Sequence, residues 1–134
     1  MASILVIDDD PNARLLVTTL LAHGGHETFE APDARIGLAL ACDIEPDLVI
    51  VDLSMPVMSG TDFVRALRAD ARTRTVGVAL YTASVVDRAT RDFMEIYGIV
   101  AALPKPSDPR ELLAAIEAAL ERHRQLRISG KSSP

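Results

Sequence analysis

A single cysteine, Cys42, stands in a chain of 134 residues. No internal disulfide can form and no thiol zinc cluster can be assembled, which points to a reducing compartment and a cytoplasmic protein. Lysine is almost as scarce, present only at Lys105 and Lys131, with arginine carrying the rest of the positive charge. No stretch clusters Lys and Arg as a phosphate-tracking surface requires, and 14 basic residues face 19 acidic ones for a net charge of -5. Nucleic acid is therefore not an expected partner. Long apolar runs are missing too: Leu48 to Val51 and Val78 to Tyr81 fall far below the roughly 20 residues that cross a bilayer. No membrane association is expected. The start, Met1-Ala2-Ser3-Ile4-Leu5-Val6-Ile7-Asp8, has no basic n-region and meets acid after a short apolar run, which excludes a secretory signal.

Half of the residues are hydrophobic (49%) and a quarter charged (25%), the balance of one ordinary soluble domain. A chain this long buries roughly two-thirds of its unfolded surface, enough for a core without metal or disulfide. The expected domain is 1–126, followed by a polar, Gly/Ser-rich tail over 127–134.

Short continuous apolar runs alternate with segments whose apolar residues recur every three or four positions, the pattern of a βα repeat. Strands are expected at Ile4–Ile7, His26–Ala31, Leu48–Val51, Val76–Tyr81 and Ile99–Leu103. The first helix starts near Pro11, turns Leu15, Leu16, Leu20 and Leu21 inward and ends at Gly24-Gly25. The second opens at Pro32-Asp33, with Asp33 as cap, and carries Ile36, Leu38 and Leu40. Ser59 or Thr61 caps a third helix with Phe63, Val64 and Leu67, and a fourth runs from about Val86 to Tyr97. Asp108-Pro109 starts the last, through Leu112, Leu113, Ile116 and Leu120. Strands one, three and four hardly alternate, as strands covered on both faces must look, so the sheet is parallel and internal. The fold class is α/β, a doubly wound (βα)5 sheet whose ligand site lies beyond the carboxyl ends of its strands.

Those ends carry Asp8-Asp9-Asp10, Asp52, Thr82 and Lys105. With the first three strands adjacent, Asp8, Asp9 and Asp52 converge. Two carboxylates about 4 Å apart cost on the order of 4 kcal/mol at an effective dielectric near 20, so the site must protonate one or supply a cation. A hard divalent ion with open water positions, of the Mg²⁺ type, meets that need. With it, the Lys105 ammonium and the Thr82 hydroxyl would stabilise a phosphoryl group in transfer to a carboxylate. Any one Asp at a strand end is also a common turn former or cap. Such residues at four of the five βα junctions make a more specific pattern.

Ile4-Leu5-Val6-Ile7-Asp8-Asp9-Asp10-Pro11, Asp47-Leu48-Val49-Ile50-Val51-Asp52-Leu53-Ser54-Met55-Pro56-Val57-Met58-Ser59-Gly60, Tyr81-Thr82-Ala83 and Leu103-Pro104-Lys105-Pro106 together resemble the receiver domain of two-component response regulators, from Ser3 to about Arg124. The resemblance implies a flavodoxin-like sheet with strand order 2-1-3-4-5. It implies Asp52 as phosphoacceptor, and Asp8, Asp9, Asp52 and the Ser54 carbonyl as Mg²⁺ ligands. Thr82 and Lys105 would be the switch hydroxyl and the family's lysine. The Lys105–Pro106 peptide bond is typically cis in this family, which would aim the lysine into the site. Asp10 reads as the cap of the first helix rather than a ligand. The donor would be a phosphohistidine on a histidine kinase or phosphotransfer protein. The output would be a surface of helix four, strand five and helix five, reading out to a downstream effector or to a homodimer. On this reading the protein catalyses only its own phosphorylation and dephosphorylation.

Three residues, Ala102, Pro104 and Ser107, depart from the family's usual pattern. Ala102 replaces the aromatic three residues before the lysine, so the usual coupling of hydroxyl to aromatic is lost. Tyr81, beside Thr82, reads as structural because strand neighbours point to opposite faces. Pro104 lacks a ladder donor and is expected to end the last strand early at a sheet edge. Ser54 and Ser84 would flank the hydrolytic water without orienting it, which predicts slow self-dephosphorylation. Arg14 and Leu15 on the first helix would face the kinase. Elsewhere, His23 and His26 read as solvated residues at a helix end, and Cys42 as a small core residue. Two other functions compete. A phosphatase with an aspartyl-phosphate intermediate would need an acidic residue where Ser54 stands. A non-phosphorylated interaction module would have little use for so costly a charge cluster.

Overall fold

The computed structural model describes residues 2–55, 58–83, 85–105 and 108–128. Ten elements alternate: β1 (Ser3–Ile7), α1 (Pro11–His23), β2 (Glu27–Ala31), α2 (Ala34–Ile44), β3 (Leu48–Asp52), α3 (Gly60–Ala69), β4 (Gly77–Thr82), α4 (Arg88–Tyr97), β5 (Ala101–Pro104) and α5 (Pro109–Ile128). The strands form one parallel sheet in the order β2-β1-β3-β4-β5. Chain order reverses between β1 and β3, so the crevice at their carboxyl ends is where a ligand site belongs.

Local chemistry sets the helix starts. Asp10, Asp33, Ser59 and Asp87 each adopt extended backbone, and their side chains accept the N–H of Asn12, Ile36, Asp62 and Thr90. The central strands β3 and β4 are buried at every residue, which explains their lack of alternation. One face of the sheet packs Val17 and Leu21 of α1 and Leu112, Ile116 and Ala119 of α5 over Ile4, Val6, Ile50 and Tyr81. The other packs Ala34 and Ala41 of α2 and Phe63, Val64 and Leu67 of α3 over Leu5, Ile7, Val51 and Leu80. Gly37 brings α2 close to β1: a Cβ there would stand 2.3 Å from Cδ1 of Ile7.

Several expectations are corrected. Leu15 (63% exposed), Leu16 (40%) and Ile36 (47%) face outward. On α1 the sheet-facing stripe belongs to Val17 and Leu21, one turn apart, and Leu15 lies roughly 200° around the helix from Val17. The fourth helix begins at Arg88 behind its Asp87 cap, and none of its residues is buried. Ile99 and Val100 precede β5 rather than open it. Helix α5 continues through Arg127 to Ile128, into the segment read as tail; 129–134 lie outside the described residues.

Pro104 does not shorten β5; it is the strand's last residue, paired with Thr82. Val100 donates its N–H to the Val78 carbonyl at 2.9 Å. Continued in steps of two, that ladder would aim the nitrogen of residue 104 at the Thr82 carbonyl. Proline has no proton to give, and the Lys105 N–H donates there instead, also at 2.9 Å. The slip of one residue is absorbed at the sheet edge, where such irregularities are tolerated.

Candidate functional site

Strand register places the charged residues in one row. Ile7 pairs with Val51, so the next residues, Asp8 and Asp52, lie side by side; Asp52 pairs with Tyr81, and Tyr81 with Leu103. Partners in a parallel register share a face, here the α1/α5 face. Lys105, two residues beyond Leu103, reaches back over the end of β4. Its Nζ lies 2.6 Å from Oδ2 of Asp8 and 3.1 Å from Oδ2 of Asp52. The remaining oxygens are held by backbone donors: the Asp10 N–H donates to Oδ1 of Asp8 at 2.9 Å, and the Ser54 N–H to Oδ1 of Asp52 at 3.0 Å.

Asp8 is 1% and Asp52 8% exposed, while Asp9 is open to water. One oxygen from each of Asp8, Asp9 and Asp52 falls within 4.8 Å of the others. Three carboxylates less the one Lys105 ammonium leave two negative charges in the crevice. The donors are all oxygen, one of them water-exposed, and a divalent hard cation balances the remaining charge. The residues present therefore fit a metal. Burial pushes Lys105 down, but its hydrogen bonds to Asp8 and Asp52 outweigh that and hold it above the ordinary lysine range, so it stays protonated. Burial likewise raises the Tyr81 phenol, against the lowering effect of Lys105.

Of the residues singled out in the sequence, Asp8, Asp9, Asp52 and Lys105 come together. Thr82 is buried at the end of β4, on the opposite side of the strand from Tyr81 by alternation, and its carbonyl accepts the Lys105 N–H. Asp10 caps α1, as expected. Ser84, Ser107 and Pro106, with its peptide bond to Lys105, lie outside the described residues. Arg14 does not face outward to a kinase: its Nη1 donates to the Asp8 carbonyl at 2.7 Å and its Nε to Glu30 at 3.0 Å. It thereby braces the backbone of the acidic pair. His26 is not merely solvated either; its Nδ1 accepts the Ala2 N–H at 3.1 Å and its Nε2 meets Glu117 of α5. Tyr81 is more than a core residue, because its ring centroid lies 4.9 Å from Nζ of Lys105. The sequence signal for that contact is the strand register, in which the residue of β4 beside Asp52 lies under any side chain crossing from β5.

Between residues 4 and 117 the sequence matches the family model described as the response regulator receiver domain. The chain belongs to that family. Among the receiver's relatives, PilH of Pseudomonas aeruginosa is 35% identical over 121 residues, 90% of this chain and 98% of PilH. The DNA-binding dual master transcriptional regulator RpaA of Synechocystis is 35% identical over 134 residues, 99% of this chain but 55% of RpaA. The receiver spans about half the length of RpaA and of the similar MtrA and PhoB proteins. Among solved structures, the chemotaxis protein CheY4 of Vibrio cholerae matches with a TM-score of 0.82 at 30% identity, over 89% of the receiver and 98% of CheY4. A receiver domain protein from Clostridium thermocellum matches at 0.81 and 30%, over 94% and 99%. The receiver thus belongs to the two-component signalling family. Its flavodoxin-like sheet order is that of its structural neighbours. Among the described residues no helix is long and apolar enough to cross a membrane.

Proposed function

We propose that the receiver accepts a phosphoryl group on Asp52 from a phosphohistidine of a histidine kinase or phosphotransfer protein. The carrying observation is the Asp52 carboxylate itself, held at the carboxyl end of β3 between the Ser54 N–H and the Lys105 ammonium. An Asp52 oxygen forms the new bond to phosphorus as the bond from phosphorus to the donor imidazole nitrogen breaks, and the imidazole leaves as a neutral histidine once protonated. Lys105 keeps its proton and offers charge to the phosphoryl oxygens, and the Thr82 hydroxyl adds a donor. Asp8, Asp9, Asp52 and the Ser54 carbonyl would hold Mg²⁺, which when bound neutralises charge on the phosphoryl oxygens.

The new phosphate draws Thr82 and Lys105 toward it, and both stand at the base of the surface formed by α4, β5 and α5. Helix α4, with no buried residue, is the element of that surface most easily moved. We take this surface as the output toward an effector or a second copy, in the cytoplasm where kinase donors are met. The receiver turns over no independent substrate. With no acidic or amide side chain at Ser54 or Ser84, release of the phosphate is slow.

Intact-mass measurement after incubation with Mg²⁺ and a small acyl phosphate tests the proposal. One added phosphoryl group is expected on the wild type, and none on Asp52→Asn or with a chelator present. A phosphorylated Asp52→Asn protein would move the acceptor to another residue, and a wild type inert to both acyl phosphate and a phosphodonor protein would overturn the proposal in favour of an interaction module.

A further inference from the structure

A lysine at the end of β5 that reaches carboxylates on β3 and β1 must cross β4, and the residue of β4 in that row is Tyr81. The ring is 3% exposed, so it is a fixed part of the floor. Its centroid lies 4.9 Å from the Lys105 ammonium, inside the roughly 6 Å over which a ring face attracts a cation. The ammonium is thus held by Asp8 and Asp52 through their oxygens and by the ring face. Ala102 pairs with Leu80 on the other face of the sheet and offers no aromatic there. The aromatic in contact with the phosphoryl-binding groups is on β4, under the lysine, rather than on β5, beside the hydroxyl.

We propose that Tyr81 is a positioning residue for phosphoryl transfer, its ring face holding the Lys105 ammonium in place over Asp52. The proposal rests on Asp52 being the acceptor. Tyr81 itself exchanges no proton and forms no bond: the Asp52 oxygen bonds to phosphorus, the donor's bond to phosphorus breaks, and Lys105 remains protonated. When the phosphoryl group arrives, the ammonium turns toward its oxygens and its contact with the ring changes.

The test uses the full chain, Mg²⁺ and a small acyl phosphate, with rates read by intact mass across donor concentrations. Tyr81→Leu is expected to lower the maximal rate about two- to fivefold, the equivalent of a cation–π contact of roughly 0.5–1 kcal/mol. Its half-saturating donor concentration should be unchanged, and Tyr81→Phe should restore the wild-type rate. The second readout is spectroscopic. The chain has no tryptophan and two tyrosines, Tyr81 and Tyr97. Tyr97 packs on Phe93 of the same helix, away from the row of charges, so Tyr97→Phe leaves Tyr81 as the emitter. Its fluorescence should change as Asp52 is phosphorylated, and not in the Asp52→Asn, Tyr97→Phe double variant. A Tyr81→Leu rate equal to wild type, equal losses in Leu and Phe variants, or a phosphorylated protein with unaltered fluorescence would each overturn the proposal. Because the spectroscopic arm keeps Tyr81, it decides the matter even if the Leu variant does not fold. A wild type that gains no phosphoryl group brings down the acceptor assignment and this role with it, an outcome told apart by mass alone.

Discussion

Gly60, the first residue of α3, stands where no side chain fits, and Gly60→Ala measures how tightly the helix is set against the end of β3. A Cβ there would lie 2.6 Å from the Asp52 carbonyl oxygen and 2.8 Å from Cα of Leu53. Ordinary contact needs about 3.5 Å, and the obstacles are backbone atoms, which cannot rotate aside. The helix start must retreat by roughly 0.7–0.9 Å. That lengthens the bond from the Gly60 N–H to the Leu53 carbonyl, now 3.1 Å, beyond hydrogen-bonding range, at about 1 kcal/mol. Overpacking adds about 1–3 kcal/mol. The opposing gain, alanine over glycine in a helix, is at most about 1 kcal/mol. A net loss of roughly 1–3 kcal/mol remains, or about 3–15 °C in Tm at roughly 3–5 °C per kcal/mol for a domain of this size. Circular-dichroism melts would read it. Gly98→Ala is the comparison: Gly98 has φ of +66° with nothing within 4 Å of a Cβ, so it feels only the left-handed strain of about 1–2 kcal/mol. A Gly60→Ala protein that melts at or above the wild-type temperature would refute the reasoning.

Two further substitutions test the packing away from Asp52. Arg68 of α3 donates from Nε to the Tyr97 carbonyl and from Nη1 to the carbonyls of Arg74 and Val76; Arg68→Ala should cost about 2–3 kcal/mol in denaturant unfolding, and hydrogen exchange at the C-terminal end of α4 should quicken. An unaltered midpoint would show those bonds to be replaceable by water. Burial, aided by Arg127 and Arg68 and opposed by Asp47, pushes His123 below the ordinary histidine range. The unfolded chain then binds the proton more readily, so this contribution to stability is present above about pH 6.5 and is lost as the pH falls below it. Wild-type melts should fall from pH 7.5 to 5 more steeply than those of His123→Gln; parallel profiles would exclude His123 as the cause.

The strands, their order of appearance and four of the helix caps, Asp10, Asp33, Ser59 and Asp108, were legible in the sequence, because apolar runs and Asp or Ser before a helix act locally. Asp33 and Ser59 needed only their neighbours. What escaped was set by distant partners. Leu15 and Leu16 are as apolar as Val17, and only the docking of α1 on the sheet decides which of them is buried. The four acidic and basic members of the site were readable as strand-end residues, since the topology of a parallel sheet gathers such ends. The inward turn of Arg14 was not, because its partners are a backbone carbonyl and Glu30 on β2. Strand alternation alone puts Tyr81 on the face opposite Thr82, but the return of Lys105 across that same face is set by its distant partners Asp8 and Asp52.

The one-residue slip at Pro104 has a mechanical side. Past this point β4 and β5 are joined by the bond from the Lys105 N–H to the Thr82 carbonyl, and the two residues it joins carry the hydroxyl and the ammonium at the carboxyl ends of those strands. The bond works as a hinge pin shared by two levers. A pull on the Thr82 backbone drags the root of Lys105, and a tug on Lys105 tilts the end of β4. The ends of β4 and β5 are therefore geared together, so a displacement that begins at either one is felt by the other.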